Sequence, residues 1–144
     1  MDQYLVILGA GPQQERLYTL AKELGHKIIG VDYDKKAIAR KHCDDFINVS
    51  IKDAENIIKE LLKTGLTFKG VITCGAEVSP QVSLIAQHFD LIGIPHDVAI
   101  NTTDKYQRSR ALQSGAIKVP DFQLVTSAQD LHISLPVVVK PADS

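Results

Sequence analysis

The sequence predicts an α/β fold in which helices flank a parallel β-sheet. A short apolar run, Leu5–Leu8, stops abruptly at Gly9, an amphipathic helical segment follows it, and apolar and helical segments then alternate as far as Leu91. Apolar runs of this length are typical of strands buried on both faces, and parallel strands need a crossover helix between them. Residues 4–34 therefore form one complete βαβ unit, and a sheet begun this way is expected to continue.

The glycine turn after the first strand is the first candidate site. Gly9 and Gly11 permit a turn that a Cβ would hinder, and such a turn brings backbone N–H groups to the start of the next helix, a place that favours anions. That helix is expected to end at a left-handed Gly25. Its predicted buried face holds four residues at i, i+3, i+4 and i+7: Leu17, Leu20, Ala21 and Leu24.

The same turn allows a dinucleotide site as an alternative. Such a site follows the pattern G-x-G-x-x-G, with an acidic residue about 20 residues further on, and Asp32 stands at that distance. Gln14, however, replaces the third glycine, and Pro12 lacks an N–H that would cradle a pyrophosphate. The pattern favours a phosphate-turn geometry over an NAD site, and a turn that only connects strand to helix stays open.

The segments that follow keep the alternation. A short helix capped by Asp34 is predicted through residues 37–41, then strands at 46–49 and 71–74 and a helix that begins at Ser79-Pro80. Between the two strands, Asp53 and Gly65 are expected to bound a helix. The apolar stripe predicted for that helix is Ala54, Ile57, Ile58, Leu61 and Leu62.

The regular alternation of predicted strands and helices stops after Leu91. One helical turn is predicted at 97–101, a helix from Thr103 or Asp104 to about Gly115, strands at 119–125 and 135–141, and a short helix at 127–131. The region after Asn101 is therefore interpreted as a second module that has only begun. Because a domain seldom ends on an apolar core strand, the chain is expected to be a fragment of a longer protein.

Composition excludes several classes of protein. The net charge is −1 with no basic stripe, so no nucleic-acid partner is expected, and no apolar run approaches the ~18 residues of a membrane span. Without a leader-like N-terminus or a supported disulfide between Cys43 and Cys74, a reducing, cytoplasmic location is expected. Cys74 is predicted to be a small buried hydrophobic residue, and the histidines show no metal-ligand spacing.

Several motifs together resemble a known family. In chain order they are Leu-Gly-Ala-Gly11, Thr-Thr-Asp-Lys105, Gly-Ala-Ile-Lys-Val-Pro120 and Leu-Pro-Val-Val-Val-Lys140-Pro. This series resembles the front of an ATP-grasp ligase, a group that includes biotin carboxylase, the carbamoyl-phosphate synthetase large chain, purine-pathway ligases and amino-acid ligases. The resemblance implies a Rossmann-like pre-ATP-grasp domain at 1–101, followed at 102–144 by the linker helix and first strands of an ATP-grasp domain.

The resemblance also implies site residues. Lys105 and Lys140 match family lysines that contact the phosphates of ATP, and a compact ammonium on a long stem suits that task. A lysine at a strand end is also a common solvated side chain, and for Lys105 both roles stay open. The substrate is expected at the strand ends, with Gly9, Gly11, Gln13 and Glu77 at the rim. Glu77 is expected either to hold a substrate amine or only to cap the next helix.

The function implied is that of an ATP-dependent ligase. The full protein would use ATP and Mg²⁺, with the magnesium ligands beyond Ser144, to activate a carboxylate or bicarbonate as an acyl phosphate for attack by an amine or another nucleophile. Its partners would be small-molecule carboxylates and amines, a homodimer is the assembly considered, and this chain alone is expected to be inactive. The alternatives are an NAD-binding oxidoreductase domain and a non-catalytic module that binds a small ligand.

Overall fold

A computed structural model describes residues 3–142, and these form a parallel sheet flanked by helices, as predicted. The strands are β1 (Gln3–Leu8), β2 (Lys27–Val31), β3 (Asp45–Ile47) and β4 (Thr67–Thr73), in the order β3-β2-β1-β4. The helices are α1 (Glu15–Glu23), α2 (Ala54–Thr64), α3 (Ser79–His88), α4 (His96–Thr103) and α5 (Lys105–Ser114). Two 3₁₀ helices span Ile38–His42 and Ala128–Asp130.

The sheet separates two hydrophobic cores. β1 lies at its centre and is paired in parallel with β2 on one side and β4 on the other. One core packs α2 and α3 against side chains such as Val6, Leu8 and Ile29, and the other packs α1 against Ile7 and Ile28. All five of these side chains are fully buried, and burial of each contributes about 1.5–3 kcal/mol.

The buried face of α1 differs from the prediction. Leu20 is 43% exposed and Leu24 is 66% exposed, whereas Tyr18 and Ala21 are buried. α1 is rotated about its axis relative to the predicted orientation. The reason is that the Tyr18 hydroxyl donates to the carbonyls of Ile7 and Gly9, which lets this large aromatic side chain enter the core with its polar group satisfied.

The end of α1 is as predicted. Gly25 has φ +77°, its N–H donates to Lys22 O, and His26 N–H donates to Ala21 O. These are the two hydrogen bonds of a Schellman cap.

The boundaries of α2 are confirmed, but its stripe is narrower than predicted. Asp53 accepts the Asn56 N–H at 3.1 Å, and Gly65 is left-handed at φ +64°. Ala54, Ile57 and Leu61 are buried, Ile58 is partly buried, and Leu62 is 57% exposed because it lies on the flank of the helix.

Other predicted boundaries move by a few residues. The helix predicted through 37–41 is a 3₁₀ helix at Ile38–His42, since Asp34 uses its carboxylate in a tight turn with Lys36 N–H. β3 is shorter than predicted and begins at Asp45. α3 begins at Ser79 with Pro80 in its first turn, but the capping position is Val78.

The last third of the described chain contains the largest correction. α4 is longer than the single turn predicted, and α5 begins as expected, with Asp104 accepting the Gln107 N–H at 2.7 Å. The strands predicted at 119–125 and 135–141 are absent from residues 3–142. A strand needs a neighbouring strand for its backbone groups and a core for its side chains, and here Val138 and Val139 are each 81% exposed.

The domain boundary predicted at residue 101 falls within α4 and stays a prediction. The predicted segment 102–144 includes Asp143 and Ser144, which lie outside the described residues. No helix within residues 3–142 has the length and apolar character needed to cross a membrane.

Candidate functional site

The carboxyl ends of three neighbouring strands meet at one edge of the sheet. Leu8 at the end of β1 pairs with Val31 of β2 and with Thr73 of β4. The Thr73 hydroxyl also donates to Leu8 O at 2.8 Å, which joins the ends of β4 and β1. Ligands in parallel α/β sheets bind outside this edge. We call the turn of residues 9–14, Asp32 and the loop of residues 74–78 the sheet-edge site.

The two glycines of the turn differ in what a side chain at each position would meet. Gly9 has φ +91°, a conformation that residues with a Cβ rarely adopt. Gly11 lies outside the left-handed region, but a Cβ there would be 3.1 Å from Gln14 Oε1. The turn closes through a hydrogen bond from Gln14 N–H to Gly11 O at 3.0 Å, directly before α1 begins.

Asp32 is buried beneath this turn. It is 8% exposed, and its two carboxylate oxygens accept the N–H groups of Ala10 at 2.8 Å and Asp34 at 2.9 Å. In a dinucleotide site the corresponding carboxylate accepts hydrogen bonds from the ribose. Here the carboxylate stabilises the turn itself, which does not favour the NAD alternative.

Gln14 links the two halves of the sheet-edge site. Its side chain is 7% exposed, and its amide donates to Cys74 O at 2.7 Å. Gln13 beside it is exposed and lies against Gly75, where an added Cβ would be 3.3 Å from Gln13 Oε1. In the sequence pattern, Gln14 stands only as the residue in place of a third glycine. A long polar side chain in that position indicates that the protein itself fills the space which a third glycine would leave open.

Tyr18 is a second residue that sequence reasoning missed. Its fully buried hydroxyl donates to Gly9 O at 2.9 Å and to Ile7 O at 3.2 Å. Burial, and then the nearby Cys43 and Asp32, raise the pKa of this phenol well above its usual value, so that it stays a protonated donor. Tyr18 therefore holds the turn from the α1 side while Asp32 holds it from the β2 side.

A charged cluster surrounds the start of α1. Glu15, its first residue, accepts from Lys41 Nζ at 2.7 Å and lies 3.4 Å from His42 Nε2. The Lys41 hydrogen bond, followed by His42, holds the pKa of Glu15 below its usual value. The 3₁₀ helix that carries both basic residues also donates Ala39 N–H to Ala10 O at 3.0 Å, which ties it to the glycine turn.

The loop after β4 carries Cys74 and Glu77. Cys74 is exposed, which corrects the prediction that it is buried, because β4 ends at Thr73 and leaves it in the loop. Glu77 is exposed two residues before α3. No side chain caps α3, so the capping role considered for Glu77 is not seen. Both cysteines are free thiols, and burial raises the pKa of Cys43 to about 11.

The chain segments that carry the two predicted ATP lysines meet through a backbone hydrogen bond. Lys105 is half-buried as the first residue of α5, and its N–H donates to Ala142 O at 2.8 Å. Lys140 is exposed two residues before Ala142, so the segment that follows the predicted strand returns to the start of α5. Their contacts with a nucleotide stay a prediction.

Other features of the surface do not coincide with these residues. One open depression, of about 520 Å³, lies at the amino ends of the strands between Phe68 and Phe89, and another, of about 550 Å³, lies between β3 and α2. Neither is lined by a predicted site residue. Within residues 3–142, no group of three His, Cys, Asp or Glu side chains is placed to hold a metal ion.

Comparison with known proteins gives fold-level matches. No protein-family model matches the chain, and no curated protein matches its sequence. Among solved structures, an L-amino acid ligase from Bacillus licheniformis has a TM-score of 0.83 at 21% identity, with 99% of this chain and 38% of that chain covered. A phosphoribosylglycinamide synthetase from Anaerococcus prevotii has a TM-score of 0.73 at 22% identity, with 91% and 33% covered.

A third structure extends the same pattern. The biotin carboxylase domain of 2-oxoglutarate carboxylase from Hydrogenobacter thermophilus, solved as a dimer with MgADP, ADP and bicarbonate, has a TM-score of 0.59 at 15% identity, with 81% of this chain and 28% of that chain covered. The chain thus spans about a third of the length of these proteins, all of them ATP-grasp enzymes. The fold of this chain is that of part of an ATP-grasp ligase, as the sequence motifs predicted.

Proposed function

We propose that this chain is the N-terminal portion of an ATP-dependent ligase that activates a carboxylate or bicarbonate as an acyl phosphate for attack by an amine or another nucleophile. The observation that carries the proposal is the match of 99% of the chain to an L-amino acid ligase at a TM-score of 0.83. The motif series ending in Lys140-Pro141 supports it independently of the fold.

The nucleotide end of the proposed active site is the start of α5. Lys105 and Lys140 would neutralise the phosphates of ATP, and the hydrogen bond from Lys105 N–H to Ala142 O supports this by holding their backbones together. The related biotin carboxylase domain was solved with MgADP. ATP and Mg²⁺ are the cofactors we propose, with the magnesium ligands outside this chain.

The substrate end is the sheet-edge site. Gly9 and Gly11 would allow close approach to the turn backbone, and the exposed side chains of Gln13 and Glu77 would contact polar groups of the substrate. In this chemistry the protein mainly positions groups and neutralises charge. We further propose that the chain needs the remainder of an ATP-grasp fold for turnover, and that a homodimer is its assembly.

The test is nucleotide binding by the polypeptide translated from the complete gene. Lys140→Gln removes a charge-assisted contact worth about 1.5–3 kcal/mol, so ATP affinity is expected to fall roughly 10- to 100-fold. Lys118→Gln is the matched control, because Lys118 is also exposed and precedes a proline after one intervening residue. Equal ATP affinity in the two variants, or saturable binding of NADH in place of ATP, would contradict the proposal.

A further inference from the structure

The leucine stripe of α1 is turned partly to the surface. Leu17, Leu20 and Leu24 recur at spacings of three and four residues, which align them along one side of the helix. Leu24 is the cap residue, and its N–H still donates to Leu20 O at 3.0 Å, so it continues the helical spacing. Leu17 is partly buried, Leu20 is 43% exposed and Leu24 is 66% exposed. We call these three side chains the α1 stripe.

The spacing of the α1 stripe suits packing against a second helix. In a seven-residue repeat, Leu17 and Leu24 occupy one core position and Leu20 occupies the other. Two copies of α1 that pack antiparallel about a two-fold axis near Leu20 would set Leu17 of each copy against Leu24 of the other. Such a contact needs only one self-complementary surface.

Two charged side chains flank the α1 stripe on one side. Arg16 and Glu23 are seven residues apart, and Arg16 Nη1 lies 3.3 Å from Glu23 Oε1. Their side chains are 75% and 59% exposed, and an exposed pair of this kind contributes little within one helix. A two-fold axis reverses the order of the two charges, so Arg16 of each copy would face Glu23 of the other.

We propose that the α1 stripe is the surface through which two copies of this chain associate, with the two helices antiparallel. The inference rests on the proposed function only in its homodimer, for which it names the contact surface. A second copy fits better than another partner because the flanking charges complement themselves under a two-fold rotation. The contact is small, since α1 has nine residues and is about 13.5 Å long, so we expect a dissociation constant of roughly 10–100 μM.

The experiment is sedimentation equilibrium of the polypeptide translated from the complete gene, over a series of concentrations and without nucleotide. Wild type is expected to show a reversible monomer–dimer equilibrium. Leu24→Lys places a charge in the contact twice per dimer, so the dissociation constant is expected to rise at least roughly tenfold. Leu62→Lys is the matched control, because Leu62 is 57% exposed near the end of α2, and its dissociation constant should stay within about twofold of wild type.

Charge reversal tests the antiparallel register. Arg16→Glu and Glu23→Arg would each set like charges opposite each other in the dimer, so each variant alone should associate more weakly than wild type. An equimolar mixture of the two variants should restore association, because opposite charges then face each other across the axis. Neither variant keeps its own ion pair within α1, so this recovery reports only the contact between copies.

Three results would each overturn the proposal. The first is a wild type that stays monomeric up to roughly 1 mM; a lower urea midpoint for Leu24→Lys would then show that another part of the longer polypeptide covers the α1 stripe. The second is a dimer that Leu24→Lys weakens no more than Leu62→Lys does. The third is a mixture that associates no better than its two components. No nucleotide is present, so these results are independent of ATP binding at Lys140.

Discussion

The first prediction concerns Asp32, which we infer stabilises the glycine turn. Its two oxygens accept the N–H groups of Ala10 and Asp34, and it is 8% exposed. The side chain of Asp32→Asn has one acceptor oxygen, so one backbone N–H faces an NH₂ group instead. A buried donor left unsatisfied costs about 1–3 kcal/mol. We expect the free energy of unfolding to fall by about 2 kcal/mol.

Equilibrium urea unfolding of the variant and wild type measures this difference. The urea midpoint should fall while the m value stays constant, because the surface exposed on unfolding does not change. Asp34→Asn is the matched control, and at this exposed site we expect a change within about 0.5 kcal/mol. An Asp32→Asn variant as stable as the control would refute the argument that the carboxylate fixes the turn.

Two further predictions test the packing of β2 and its neighbours. A Cβ at Gly30 would lie 2.5 Å from Cys43 Sγ, so Gly30→Ala should lower the free energy of unfolding in urea by about 1–3 kcal/mol. Gly70→Ala is the control, because a Cβ there would have its nearest contact at 3.5 Å, and it should change the free energy of unfolding by less than about 0.5 kcal/mol. Equal effects of the two substitutions would contradict the clash. Burial alone would raise the pKa of Asp44, but the hydrogen bond from Lys22 outweighs it together with the other favourable contacts, and the pKa in the folded protein is below its usual value. The stability that this carboxylate contributes is therefore present at neutral pH and is lost as the pH falls below about 4. Asp44→Asn should therefore destabilise at pH 7 and lose its difference from wild type in acid; a constant difference between the two pH values would contradict the linkage.

The alternation of strands and helices could be predicted because local sequence determines it. The apolar run that stops at Gly9, and the helix that begins after Asp53 and ends at Gly65, depend on neighbours within a few residues. The resemblance to ATP-grasp ligases likewise came from short motifs. In both cases the physical cause is local in the chain.

Tertiary contacts explain what the sequence did not reveal. Leu24 continues the helical spacing of Leu17 and Leu20, which predicted that it is buried. The hydrogen bonds of Tyr18 to the end of β1 instead turn another face of α1 to the sheet and leave Leu24 exposed. Residues 135–141 have strand composition, but no strand among residues 3–142 pairs with them. The roles of Asp32 and Gln14 depend on partners 22 and 60 residues away, which no local pattern reveals.

The central claim, activation of a carboxylate as an acyl phosphate, is tested most directly by isotope transfer. The polypeptide translated from the complete gene would be incubated with MgATP, an amine, and a panel of amino acids whose carboxylates carry heavy oxygen. Attack of the amine on an acyl phosphate releases phosphate that retains one carboxylate oxygen. We predict heavy oxygen in the inorganic phosphate, together with ADP. Release of AMP and pyrophosphate, with the label in AMP, would contradict the account.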